Sequence, residues 1–322
     1  MLTALALVSV PVSGAFAQEG AAFLRVPVGA RAVSQGQAVA ASRMGADGIW
    51  WNPASLAWLK DREVGLNYAS NFILTGTSLD LVYPAGRAGV LSASALFYNI
   101  GEQTATDRLG NSTGTFYTSA LVTAASYAAT FGDKFAAALT YKLIRQTQTC
   151  SGSCPDVDTY SVRTNAFDLG FQSVRGKAGE LTLGAVVRDV GFCAQIIDSE
   201  QCDPLPSRFH LGAEYRVDAV SKARPGLTLR VSGEVVTRLS LAEPTLRFGA
   251  ELGVAERLFL RAGVLPGISN ESSTGSGDGS KAAIGFSIRQ GTLALDFART
   301  FGGLSSDNGN PPTYVTLRMA FR

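Results

Sequence analysis

The chain has 322 residues, with 28 Lys and Arg against 26 Asp and Glu and a formal net charge of +2. A balance this close, with no basic stripe, argues against a nucleic-acid partner. Glycine is abundant at 35 residues and charged residues make up only 17% of the chain, which suits a large β-protein with many tight turns and a half-apolar surface.

Residues 1–17 read as a secretory leader: Leu2 to Val12 is an apolar core, and Ala15-Phe16-Ala17 is an A-x-A cleavage pattern. The stretch before the apolar core carries no Lys or Arg, a departure from the usual signal peptide. Beyond residue 17 no run reaches the ~18 apolar residues of a membrane-spanning helix, so any span must be a strand.

Residues 18–62 do not alternate. They are rich in Gly and Ala and hold three tryptophans, Trp50, Trp51 and Trp58. Such a stretch is too apolar and aromatic for a free tail, and its small residues permit close approach to a wall. Asn52-Pro53 marks a turn. The expectation is an N-terminal plug, or hatch, inside the lumen of a barrel spanning residues 63–322.

From Glu63 onward, short segments alternate with period two, the signature of a strand with different surroundings on its faces. In residues 207–217, Phe209, Leu211, Ala213, Tyr215 and Val217 oppose Arg208, His210, Gly212, Glu214 and Arg216. In the next segments Leu229, Val231 and Val235 oppose Arg230, Ser232 and Glu234, and Leu246, Phe248 and Leu252 oppose Arg247, Gly249 and Glu251. A charge facing mid-bilayer lipid costs roughly 2–4 kcal/mol, so a one-residue slip would be heavily penalised. The count is about fourteen strands, among them 88–99, 116–131, 134–146 and 161–174.

The connections take turns. Short ones lie at Pro84–Ala88, Gly132–Lys134, Arg175–Gly179, Val254–Arg257 and Gln290–Gly291; long ones lie at 100–115, 146–160, 190–206, 266–280 and 300–312. Tight periplasmic turns and long outer loops are the habit of an up-and-down antiparallel transmembrane β-barrel. The fold class expected is therefore all-β, in the outer membrane of a Gram-negative-type bacterium and surrounded by its lipid. Aromatic Phe321 near the chain end fits a barrel's last strand.

The cysteines Cys150, Cys154, Cys193 and Cys202 fall in long connections and read as disulfides of an exported chain. Four cysteines allow three connectivities; the local pairs Cys150–Cys154 and Cys193–Cys202 would each staple their own loop. The only histidine, His210, sits on a strand, which leaves no ligand set for a metal.

Nothing catalytic stands out. No G-x-S-x-G elbow occurs, and no cofactor is implied. His210 shares a face with Glu214, a pairing that in principle makes a general base, but both read better as polar lumen residues with Arg208, Arg230, Glu234, Arg247 and Glu251. Their mixed signs argue for internal pairing over an ion-selective ring. The chain is not expected to be an enzyme.

The string Val28-Gly29-Ala30-Arg31-Ala32-Val33-Ser34-Gln35-Gly36, followed by Ile49-Trp50-Trp51-Asn52-Pro53-Ala54-Ser55-Leu56, resembles the N-terminal region of the PorV/PorQ family. Phe167-Asp168-Leu169-Gly170 and Leu183 to Gly191 echo it further along. The resemblance implies a fourteen-stranded outer-membrane barrel with an N-terminal hatch, similar in fold to the FadL-type barrels for hydrophobic solutes. It implies a protein-secretion accessory of the type IX kind that docks a translocon and receives exported cargo. Kinship of fold carries the alternative, a FadL-like transporter of hydrophobic small molecules. Trp50, Trp51, Asn52, Pro53, Ala54 and Leu56 would then line a pocket between hatch and wall. The middle of the third strand, Val90 to Asn99, has no glycine to kink it open, which favours the secretion reading.

Overall fold

The computed structural model describes residues 19–71, 74–154, 159–194, 202–242, 244–266, 281–302 and 311–321; the expected leader, 1–17, lies outside the described residues. Fourteen strands form a closed antiparallel barrel. They are β1 (Arg62–Ser70), β2 (Thr75–Pro84), β3 (Val90–Thr106), β4 (Ser112–Phe131), β5 (Phe135–Gly152), β6 (Tyr160–Arg175) and β7 (Leu181–Gly191). The circuit continues with β8 (Arg208–Arg216), β9 (Leu227–Arg238), β10 (Thr245–Val254), β11 (Leu258–Leu265), β12 (Lys281–Gln290), β13 (Leu293–Phe301) and β14 (Thr313–Phe321). β1 pairs with β14, from Arg62 opposite Phe321 to Ser70 opposite Thr313, and no sheet edge is left open.

The outer face is apolar. Leu66 and Tyr68 of β1, Leu79 and Leu81 of β2, Leu246 and Phe248 of β10 and Leu317 of β14 are exposed; Asn67, Asp80, Glu251, Thr316 and Arg318, which alternate with them, are buried. Lipid on one side and protein on the other explain the register, since a slip would turn Asp80 or Glu251 into hydrocarbon. Tyr83, Tyr127, Phe131, Phe135 and Tyr215 cluster toward the periplasmic ends of their strands, an aromatic girdle at the periplasmic surface. Among the described residues no helix is long and apolar enough to cross a membrane; the strands do the crossing.

Three expectations change. β3 continues to Thr106 and β4 starts at Ser112, so most of the expected 100–115 loop is paired strand; β5 likewise runs on to Gly152. The outer connections are also not all long, because β1 joins β2 through 71–74 and β9 joins β10 through 239–244. On the periplasmic side, the β8–β9 connection carries a short helix, Asp218–Ala223.

The N-terminal segment from Glu19 to Asp61 runs inside the barrel. Near its start, Gly20 N donates to Pro204 O of the outer β7–β8 loop; it leaves at the periplasmic end into β1. It contains α1 (Ala30–Ser34), packed on β11 to β14, a single turn at Gly45–Asp47 on β1 and β2, α2 (Gly48–Trp51), and a 3₁₀ turn at Pro53–Trp58 on β4 to β6. So little regular structure leaves many backbone groups without partners, and these must be satisfied away from water. Polar wall residues supply several: Ala30 N donates to Thr316 Oγ1 (2.9 Å), Ala40 N to Glu234 Oε2 (2.8 Å) and Ala46 N to Glu63 Oε1 (2.9 Å). Gln172 Nε2 donates to the carbonyls of Ala40 and Ser42, each at 3.1 Å.

The wall makes room with glycine. A Cβ on Gly184 would land on the Ala40 carbonyl, and one on Gly263 would land on the backbone nitrogen of Gly36. At both positions segment backbone touches strand backbone, and only glycine lets it.

Candidate functional site

A cavity of about 620 Å³ opens at the outer end, between the N-terminal segment and the wall. Its floor is apolar: Leu24, Val26, Pro27 and Val28 with Trp50 and Trp51 from the segment, and Leu96 with Tyr98 from β3. The floor is held in place by its polar handles. Trp50 Nε1 donates to Asp80 Oδ1 (2.8 Å), Trp51 Nε1 to Val28 O (2.8 Å) and Tyr98 OH to Val26 O (3.2 Å). Buried indoles and phenols need such partners, and here the partners fix ring orientation.

The rim is basic. Arg25, Arg188, Arg208, Arg238 and Arg247 line it, while the buried Lys142 and the carboxylate of Asp189 face the cavity from the barrel interior. Arg208 holds Glu19 in a two-pronged contact (2.8 and 3.0 Å), with Arg25 and Arg238 at 3.7 and 3.8 Å from the same carboxylate. Arg188 stacks over the Trp51 ring at 5.6 Å.

One piece of the cavity lining depends on a defect in the wall. Along β6 and β7 the register shifts between Phe167 and Leu169, so that Asp168 faces two residues, Arg188 and Asp189. Asp189 adopts a positive φ of 58°. This β-bulge turns Asp189 inward beside Asp168, whose Oδ1 accepts from Asp189 N (2.8 Å). Lys142 Nζ lies 2.7 Å from a carboxylate oxygen of each.

The residues singled out in sequence are distributed unevenly. Trp50, Trp51, Arg208, His210 and Arg247 line the outer cavity. Asn52, Pro53, Ala54 and Leu56 are buried behind it, where Asn52 Oδ1 caps the 3₁₀ turn by accepting from Ala54 N (3.1 Å) and its Nδ2 donates to the carbonyls of Ala40 and Phe171. Glu214, Arg230 and Glu251 lie at the opposite, periplasmic end. His210 pairs not with Glu214 but with Glu234 Oε1 across the strand (2.7 Å), while Glu214 accepts from Ser42 Oγ (2.5 Å). His210 and Glu214 thus do not form the same-strand pair that a general base would have needed, in keeping with their reading as polar lumen residues. Lys142, Asp189, Arg25 and Tyr98 were not anticipated. Lys142 was legible as an inward position, because Tyr141 and Leu143 flank it on the lipid face.

Disulfides join Cys150 to Cys154 and Cys193 to Cys202, each closing its own outer loop. Among the described residues no group of His, Cys, Asp and Glu could hold a metal ion. β3 pairs without a break to β2 and β4 from Val90 to Asn99, and its irregularity comes only after Asn99.

No protein-family model matches the chain. No curated protein matches it. Solved structures do. The CymD monoaromatic hydrocarbon channel superposes with a TM-score of 0.62 at 14% identity, over 92% of this chain and 98% of that one. The Ralstonia pickettii toluene transporter TbuX gives a TM-score of 0.56 at 13% identity, over 91% and 98%. A Pseudomonas aeruginosa FadL homologue gives 0.54 at 12% identity, over 92% and 98%. These neighbours are described as transporters, channels or FadL homologues, so the secretion accessory expected from the PorV/PorQ resemblance gains no support from them. Identity this low speaks to architecture alone: the chain has the fold of the FadL-like outer-membrane barrels.

Proposed function

We propose that the protein admits hydrophobic small molecules through the outer membrane, that residues 19–61 serve as its plug, and that the outer cavity is where such a molecule first binds. The observation that carries this reading is the cavity's division: an apolar floor of Leu24, Val26, Pro27, Val28, Trp50 and Trp51 under an arginine-rich rim. Apolar contact supplies affinity and a few polar groups set orientation. The rim suits a molecule with an anionic or acceptor-bearing end. The fold neighbours described as hydrocarbon and toluene carriers support the same substrate class. The secretion reading rests on sequence resemblance; no geometry at the cavity adds to it.

The test is to purify the protein from native outer membranes in mild detergent and identify by mass spectrometry what is retained. A hydrophobic small molecule, lost on mutation of Trp51, supports the proposal. A stoichiometric protein partner with no retained small molecule overturns it in favour of the secretion accessory.

A further inference from the structure

A second cavity, of about 460 Å³, lies at the other end of the barrel, between the N-terminal segment and β7 to β12, open toward the periplasmic turns. Six guanidinium groups face it: Arg31 and Arg43 from the segment, Arg216, Arg230, Arg261 and Arg289 from the wall. From this arrangement we propose a periplasmic oxyanion site that takes a phosphate or carboxylate group, separate from the outer cavity and independent of what that cavity carries.

The lining sets six guanidinium groups against four carboxylates, those of Glu180, Glu214, Glu251 and Glu256, and Arg261 also lies 3.3 Å from Asp296. Glu251 is already surrounded, by Arg261 Nε at 2.6 Å, Arg230 Nη1 at 2.8 Å and Arg31 Nη2 at 3.5 Å. Glu214 is held by Ser42 and lies 3.9 Å from Arg230. Arg216 is matched by Asp218 (2.8 Å). At the rim, Glu180 accepts from the turn nitrogen of Ala178 (2.9 Å), and Glu256 sits on the β10–β11 turn. Arg43 and Arg289, both exposed, lie over rings, those of Trp58 (4.8 Å) and Phe259 (5.3 Å). Neither makes an ion pair with a described carboxylate, and the buried Nε of Arg31 has no hydrogen-bond partner. Arginines that line one space repel one another, most strongly at the largely buried Arg31 and Arg261 where solvent screening is reduced. Planar guanidinium forks match phosphate and carboxylate oxygens in pairs, so an oxyanion in the cavity that reaches Arg43 or Arg289 takes up donors that no described carboxylate occupies. The volume admits a free phosphate or the headgroup of an anionic lipid from the inner leaflet.

The experiment titrates the whole protein, in a non-ionic detergent, with inorganic phosphate by calorimetry, and in parallel reconstitutes it with phosphatidylcholine alone or with phosphatidylglycerol for native mass spectrometry. Saturable phosphate binding, weakened at least tenfold in the Arg43→Gln/Arg289→Gln double variant, supports a site for free oxyanions. Retention of phosphatidylglycerol that the same variant abolishes supports the same site with a lipid headgroup as its source. Neither ligand bound by the wild-type protein, or both bound equally by the variant, overturns the proposal. Should the Gln variant fail to show the heat-modifiable gel shift of a folded barrel, Arg43→Lys/Arg289→Lys keeps the charge and loses the fork. The expected result is then a several-fold weakening, and unchanged binding counts against the site. Ligand retained in the outer cavity is scored separately, so failure here leaves that reading standing or falling on its own result.

Discussion

Lys142 and Asp189 are 47 positions apart and meet at 2.7 Å in the barrel interior, with Asp168 completing the group. Lys142 is 1% exposed, and its charge is tolerable there only because two carboxylates share it. Lys142→Met leaves Asp168 and Asp189 facing each other with only Arg188, 3.9 Å from Asp189, to offset them. Removing one partner of a buried ion pair costs about 3–5 kcal/mol, so the variant should unfold at clearly lower temperature in a heat-modifiability assay. The triple variant Lys142→Met/Asp168→Asn/Asp189→Asn should recover much of the loss.

The close contact between Gly263 and Gly36 leads to a second expectation. Gly263→Val pushes a side chain into the backbone of the segment, and overpacking of this kind costs typically 1–3 kcal/mol. The strain falls on the segment rather than on the barrel ladder. Planar bilayer recordings should therefore show a quiet wild-type protein and a variant with intermittent openings. Deletion of residues 19–60 should give large, steady conductance. A wild-type protein that already conducts steadily would contradict a plugged lumen.

Trp51 forms cavity floor and also carries Arg188 on its face. Trp51→Ala removes apolar contact of about 1.5–3 kcal/mol, and should weaken binding of a hydrophobic ligand at least tenfold in a direct titration, while Asn52→Ala, behind the floor, acts mainly on stability through lost capping of the 3₁₀ turn.

Burial pushes the Asp47 carboxyl up to about 7, against the opposing pull of Arg318, with Asp80, Asp296 and Glu63 adding to the rise. Its Oδ1 accepts from Asn67 Nδ2 (3.2 Å), while Oδ2 has no partner. In the folded state the group holds its proton across a range where the unfolded chain has lost it. Its contribution is thus fully present below about pH 4, declines as pH rises, and is gone once pH passes about 7. The segment should be seated more firmly at pH 5 than at pH 8, as read by protease cleavage between Arg43 and Lys60. Asp47→Asn should flatten that dependence.

The fourteen strands were legible because lipid enforces alternation residue by residue, as in Leu246–Arg247–Phe248. Where strands rise beyond the membrane the rule lapses. Gly101 to Thr106 and Thr147 to Gly152 are polar on both faces, so they looked like loop. The site was harder to read. Trp50 and Trp51 announced burial, yet nothing along the chain said that Asn52 to Leu56 would turn their backs on the cavity. His210 and Glu214 share a strand face, but the partner chosen, Glu234, is on the neighbouring strand. The bulge that turns Asp189 inward has no local signature: a positive φ at an aspartate next to Arg188 is a consequence of the pairing, not of the residue.

The uneven strand lengths have a consequence for approach. β4 has 20 residues and β8 has 9; at ~3.3 Å per residue and a tilt of ~40° they rise about 50 and 23 Å, against an apolar band of ~25 Å. The mouth is therefore cut obliquely. On the β3 to β6 side a paired parapet stands clear of the bilayer, while beside β8 the paired wall ends near the level of the lipid headgroups and only the disulfide-tied β7–β8 loop continues beyond it. For the proposed uptake of a hydrophobic molecule, the low side presents the shorter paired wall to a compound in the outer leaflet, and the parapet presents the taller one to a compound arriving from bulk solvent.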